Sequence, residues 1–159
     1  MTQRTPIHVS REEWLRAPGP MVWRRTFPGT GEEVARARAF VKELLSGTGC
    51  EDDAGLIATE LVNNVVLHTR SKDPGGWFGI EVVLGEIASL AVTDQGGGGL
   101  PVVKLPEVTE DFDLNGLDQS GRGLFIVSEL AISLDIQGSP AYGHTIRAVL
   151  DVTMKALTA

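Results

Sequence analysis

The sequence predicts an α+β domain of two layers: a mostly antiparallel sheet covered on one face by about three helices. Three observations carry this. Apolar residues recur at helical spacing in three separate segments, and they alternate at strand spacing in five others. The element order is β-α-α-β-β-loop-α-β-β, with strands joined in pairs by short turns, and such pairs are antiparallel. At 159 residues, with 42% hydrophobic and 22% charged residues, the chain can bury one full core.

Each element follows from local chemistry. Residues 1–20 are polar and end in Ala-Pro-Gly-Pro, so they are expected to form a flexible N-terminal arm. Residues 21–152 are expected to form a single domain, and residues 153–159 a C-terminal tail. Met21 to Phe27 reads as a strand closed by Pro28-Gly29. Thr30, with Glu33 three residues later, has the pattern of a capping box. The helix it opens runs to about Leu45, with Val34, Ala37, Phe40, Val41, Leu44 and Leu45 on one face, and Ser46-Gly47-Thr48-Gly49 stops it. A second helix spans about Asp52 to Thr69, and Cys50 reads as a residue of its start. Lys72 to Gly76 is a turn. Trp77–Leu84 and Ala88–Thr93 are strands joined at Gly85-Glu86. Residues 96–120 form a long loop, a length that inside a small domain is usually functional. Gly121 opens a third helix ending near Leu130. Ser133–Gln137 and Thr145–Val152 are the last strands.

Composition narrows the function classes. The net charge is −7, the pI is about 4.9, and there is no Lys/Arg run, which argues against direct nucleic-acid binding. The single cysteine permits no intrachain disulfide and fits a reducing cytoplasm. No segment reaches the ~20 apolar residues of a membrane span, and the N-terminus has no apolar signal core. A soluble, cytoplasmic protein without a membrane partner is expected.

Three polar features stand out against this background. On a helical wheel with Glu60 at ~0°, Asn64 falls near ~40° and His68 near ~80°. Ile57, Ala58, Leu61, Val62, Val65 and Val66 fill the apolar arc, so the polar stripe lies along its edge. A carboxylate and an amide one turn apart can serve a reacting hydroxyl and a hydrated Mg²⁺. Taken alone, the stripe is equally a polar edge that caps neighbouring loops. Second, Leu90, Val92 and Asp94 share one strand face, so Asp94 continues a buried apolar surface. A buried carboxylate needs a donor, and a purine amine is one. Gln95-Gly96-Gly97-Gly98-Gly99 lets the backbone approach a flat ring, although a turn-capping Asp in a glycine hairpin reads the same way. Third, Ser120-Gly121-Arg122-Gly123-Leu124 places Gly-x-Gly at a helix start, where free N–H groups bind phosphate. It is neither a Walker A loop nor a Rossmann turn.

Read in order, Glu-x-x-x-Asn-x-x-x-His, Asp-x-Gly-x-Gly, a long loop and Gly-x-Gly-Leu resemble the GHKL ATP-binding superfamily of gyrase, Hsp90, histidine kinases and MutL. The resemblance covers about residues 21–152 and implies the Bergerat-type ATP-binding fold. The chain resembles the anti-sigma factor serine kinases, particularly the small actinobacterial type. For this sequence the resemblance implies ATP and Mg²⁺ as cofactors. Asn64 is the implied metal ligand, and Glu60 the group that activates the accepting hydroxyl. It implies that Asp94 reads adenine with Gly96 and Gly98 beside it, and that Gly121, Arg122, Gly123 and Leu124 form the second glycine box. Residues 99–120 correspond to a lid over ATP, and His68 lies near the phosphates.

The chain departs from the pattern in three places. Val65 stands where Ala is usual, and the lid is acidic from Glu107 to Asp113, with only Lys104 and Arg122 as nearby cations. The adenine-side Thr after the last glycine falls on Thr145, but strand parity groups His144 with Ile146, Ala148 and Leu150 and turns Thr145 away. Both positions stay open. The implied function is a protein serine/threonine kinase and anti-sigma factor. Its implied partners are a sigma factor and a STAS-type anti-sigma antagonist, and a homodimer is usual for the family. The alternative is a module that senses ATP or ADP and docks a partner without chemistry.

Overall fold

The computed structural model describes residues 10–16, 22–85, 87–99, 101, 103 and 119–152. In chain order its elements are α1 (Arg11–Leu15), β1 (Trp23–Pro28), α2 (Glu33–Leu44), α3 (Glu51–His68), a 3₁₀ turn (Arg70–Lys72), β2 (Trp77–Val83), β3 (Ile87–Thr93), α4 (Gln119–Leu130), β4 (Ser133–Ser139) and β5 (Gly143–Asp151). The five strands form one sheet in the order β1-β2-β3-β5-β4, and every neighbouring pair is antiparallel. This is the expected α+β architecture.

Side-chain alternation gives the sheet two unlike faces. Phe78, Ile80 and Val82 of β2, Ala88, Leu90 and Val92 of β3, and Ile146, Ala148 and Leu150 of β5 form the inner face. Ala37 and Val41 of α2, a row from Ala54 to Val65 of α3, and Leu124 and Val127 of α4 close over it as one core. Each fully buried Leu, Ile or Phe contributes roughly 1.5–3 kcal/mol. The helix α3 packs against both α2 and α4, which sets its polar stripe beside the start of α4. Cys50 is buried at the N-cap of α3, where its thiol donates to the Asp151 carbonyl at 3.4 Å. Among the described residues no helix is long and apolar enough to cross a membrane.

The outer face is polar. Arg24 and Arg147 each donate to Glu81, both at 2.8 Å, and Arg147 also reaches Ser89 Oγ at 3.1 Å. Burial works against ionisation of Glu81, but the hydrogen bonds from Arg147 and Arg24 outweigh it and hold the carboxyl below its ordinary range.

Three expectations change. Part of the segment expected as a loose arm is ordered: residues 10–16 carry α1, with a complete capping box between Ser10 and Glu13. Trp14 of α1 is buried on the outer face against Gly79, 6.3 Å between ring centroids from Trp77 and beneath Arg24 at 5.7 Å. The box expected at Thr30 and Glu33 does not form. Glu32 is the N-cap of α2 without a side-chain bond, and Glu33 instead pairs with Arg36 at 3.1 Å. Thr30 supplies only its carbonyl, to the Glu33 N–H at 3.0 Å. The helix α4 begins at Gln119, two residues before the expected Gly121.

The seat of Trp14 depends on the missing side chain at position 79. A Cβ there would meet three ring carbons of Trp14 at 2.8–3.0 Å. Gly79→Val is therefore expected to expel the indole and cost about 1–3 kcal/mol by overpacking. Tryptophan emission should shift to the red, and the denaturation midpoint should fall. An unchanged spectrum would show that Trp14 does not sit on Gly79.

Candidate functional site

The strand β3 ends at Thr93 and delivers Asp94 to the inner face at the rim of the sheet. Asp94 is 7% exposed. Its Oδ1 accepts from the Gly96 N–H at 2.7 Å and from the His144 N–H at 3.2 Å. Its own N–H donates to the His144 carbonyl at 3.0 Å. Among the described residues, none donates to Oδ2. Burial pushes the Asp94 carboxyl above the usual carboxylate range, and the two N–H donors oppose that push without cancelling it. The side chain is thus held from one oxygen, leaving the other to accept an external donor.

The glycine turn after Asp94 is fastened on three sides. Gly96 and Gly97 have φ of 86° and 82°, and the Gly97 N–H donates to the Pro140 carbonyl at 2.7 Å. Gln95 accepts from the Trp77 N–H at 2.7 Å, and its own N–H reaches Ser71 Oγ at 3.1 Å. Arg70 donates its backbone N–H to the Gly96 carbonyl at 2.6 Å and a guanidinium N–H to the Ala141 carbonyl. Its stem runs along Gly97, so Arg70 ties the turn to the β4–β5 connection. Gly98 lies against the carbonyl of His68 at the end of α3.

The stripe on α3 meets the second glycine segment. Glu60 and Asn64 are half-buried, whereas the His68 side chain is exposed. Glu60 stands against Gly123 of α4 so closely that a Cβ there would come 2.6 Å from Glu60 Oε2. Burial raises the Glu60 carboxyl above its ordinary range. Gly121 lies in the first turn of α4, Arg122 is half-buried and Leu124 is part of the core. Asn64 makes no side-chain hydrogen bond among the described residues. No group of three or more His, Cys, Asp or Glu gathers among the described residues. A divalent ion here would therefore be held by one amide oxygen together with ligand oxygens and water, a set that suits Mg²⁺.

Thr145 points to the opposite face of the sheet from Asp94. Its hydroxyl bonds Thr93 Oγ1 at 2.8 Å on the outer face. The β3–β5 register pairs Thr93 with Thr145, so the next position, His144, stands opposite Asp94. Of the two positions left open by the sequence, His144 thus lies on the face of Asp94 and Thr145 on the opposite face. Arg70 and Gln95 carried no motif in the sequence, because their partners are backbone groups brought together only by the fold. The lid expected at residues 99–120, with Lys104, lies almost wholly outside the described residues.

A 610 Å³ cleft borders the turn, lined by Arg70, Trp77, Asp94, Gln95 and Tyr142 among others. It reaches Asp94 but not Glu60, Asn64 or Gly123, so it flanks the Asp94 turn and does not extend to the α3–α4 junction. Residues 27–150 match the family model described as the histidine kinase-like ATPase domain. That span is most of the chain and contains Glu60, Asn64, Asp94, both glycine segments and the whole helix-covered core. No curated protein matches the chain.

Proposed function

The chain belongs to the histidine kinase-like ATPase family and binds ATP, and from that premise we propose that it is a protein serine/threonine kinase and anti-sigma factor. One observation carries the proposal: a half-buried Glu60, its carboxyl raised by burial, faces the backbone of α4 one helical turn from Asn64. A carboxylate whose pKa is raised by burial is a stronger base than a solvated one, and at this helix start it is placed to accept a proton from a hydroxyl.

In this reading Asp94 accepts the exocyclic amine of adenine, and the N–H groups at the start of α4 take the phosphates. Asn64 would hold Mg²⁺, which supplies charge neutralisation to the phosphates when bound. Glu60 takes the proton of a Ser or Thr hydroxyl as its oxygen attacks the γ-phosphorus. The bond from that phosphorus to the β–γ bridging oxygen breaks, and ADP leaves. The acceptor is a small STAS-type anti-sigma antagonist. A sigma factor is the other partner, and phosphorylation of the antagonist switches the chain between the two. A cytoplasmic location accords with this chemistry.

The test uses protein captured on the chain from its native cells, with ATP or ADP present, then incubated with γ-labelled ATP. Wild-type protein is expected to label a Ser or Thr of a small captured protein. Glu60→Ala should bind ATP in calorimetry yet transfer label roughly 100-fold more slowly, the size of a lost general base. Equal labelling by the variant removes Glu60 from this role. ATP binding by the wild type with no labelled partner leaves an ATP/ADP-sensing docking module instead of a kinase.

A further inference from the structure

We propose that Arg70 is a positioning residue for base recognition, a clamp that holds the turn after Asp94 in the conformation that aims its carboxylate. This rests on the reading of Asp94 as the adenine acceptor and adds a residue that no motif of the sequence contains. Asp94 and Gln95 are followed by four consecutive glycines, Gly96 to Gly99. Glycine loses more backbone freedom on ordering than any other residue, so such a turn samples many conformations unless it is held from outside. Gly96 and Gly97 stand at φ of 86° and 82°. The peptide that joins them is held at both ends. Its carbonyl, that of Gly96, accepts from the Arg70 N–H at 2.6 Å, and its N–H, that of Gly97, donates to the Pro140 carbonyl at 2.7 Å. The peptide before it presents the Gly96 N–H to Asp94 Oδ1 at 2.7 Å. A rotation of the turn at Gly96 therefore removes a hydrogen bond from the carboxylate.

The Arg70 side chain completes the clamp. Its stem lies along Gly97, where an added Cβ would come 2.6 Å from Cγ and 3.1 Å from Cδ. Its guanidinium crosses the turn and donates to the Ala141 carbonyl, one residue beyond Pro140. The turn is thus joined to the β4–β5 connection at two adjacent carbonyls. The side chain is exposed, and among the described residues no carboxylate pairs with it. Its one directed contact is with backbone. It does not bond the Asp94 side chain, whose Oδ1 accepts from the Gly96 and His144 N–H groups. Any influence of Arg70 on the base passes through the turn. A ligand that needs the aimed carboxylate binds with a dissociation constant inversely proportional to the fraction of chains with the turn in place. Loss of the clamp lowers that fraction. ATP needs the carboxylate because of its exocyclic amine, and a purine without the amine does not.

The experiment compares dissociation constants for ATP and for purine riboside triphosphate, which lacks the amine, in wild-type protein, Arg70→Met and Arg70→Lys. Both variants keep the backbone N–H that bonds Gly96. Met keeps an apolar stem and no donor, whereas Lys keeps a stem and a donor for the Ala141 carbonyl. Wild type is expected to prefer ATP by about 30-fold, the size of one hydrogen bond to a charged acceptor. Arg70→Met should bind ATP about tenfold more weakly and the amine-free analogue within about twofold of wild type, so that most of the preference is lost. Arg70→Lys should recover part of it. An Arg70→Met protein that keeps the wild-type preference overturns the proposal, whether both ligands bind normally or both weaken alike, because the side chain then has at most a general structural role. Arg70→Lys behaving as Arg70→Met also overturns it, since the donor to Ala141 would then be irrelevant. Wild-type protein without any preference for ATP sinks the Asp94 reading and this one with it. Preference in the wild type with none of it lost in Arg70→Met excludes Arg70 alone.

Discussion

Asp94→Asn is expected to weaken ATP binding by about 4 kcal/mol, roughly 1,000-fold, without destabilising the unliganded fold. The two effects separate because the two carboxylate oxygens have different duties. Oδ1 accepts from Gly96 and His144, and the carbonyl of Asn can do the same. The other oxygen is the acceptor left for the adenine amine. An amide nitrogen placed there sets donor against donor. The stability sign follows from the titration. Burial raises the Asp94 carboxyl, so the folded state holds its proton more tightly than the unfolded chain does. The stability this contributes is fully present below the unfolded pKa and is lost as pH rises through the folded one. At neutral pH the carboxylate therefore opposes folding of the free protein. The Asn variant should melt at or slightly above the wild-type temperature, yet lose the upward shift that ATP gives the wild type. A variant that melts lower, or that keeps the ATP-induced shift, would contradict this assignment.

Gly143→Ala is expected to cost about 4 kcal/mol of stability and to abolish ATP binding in the same step. Gly143 has φ of 111°, a conformation that disfavours any side chain, and a Cβ there would lie 2.3 Å from the Asp94 carbonyl oxygen. That atom is backbone at the end of β3 and cannot swing aside. Relief would require β5 to part from the turn that aims Asp94. Gly75→Ala is the control: its φ is 76°, but nothing lies within 4 Å of the added carbon. It should carry the backbone strain alone, about 1 kcal/mol, and bind ATP normally. Chemical denaturation and calorimetry on both variants check the contrast. Similar losses in the two would mean that strain, and not the contact with Asp94, sets the cost.

Much of this protein was legible along the chain because its signals are local. Alternation at Leu90, Val92 and Asp94 placed a carboxylate on a buried face, and the structure has it there. The wheel set Glu60, Asn64 and His68 on the edge of the apolar arc of α3; Glu60 and Asn64 are half-buried, whereas His68, at the helix end, is exposed. Parity also turned Thr145 away from the site, against the motif. Local chemistry misled where two patterns compete. Thr30 and Glu33 have capping-box spacing, but Arg36 one turn on draws the Glu33 carboxylate. Ser10 and Glu13 have the same spacing inside a polar segment that looked loose, and there the box forms.

The periodicity and spacing of the sequence thus determined the two-layer α+β fold, the inward aim of Asp94 and the stripe of Glu60 and Asn64. These depend on a residue's phase within its own helix or strand, which few neighbours can alter. The tertiary structure alone decided that Gly123 closes on Glu60, that Arg70 fastens the glycine turn to Ala141, that Trp14 docks on Gly79, and that His144 faces Asp94 with an unpaired nitrogen. Each of those joins residues far apart in the chain through close approach or backbone carbonyls, and no side-chain pattern records where a distant strand or turn will come to rest.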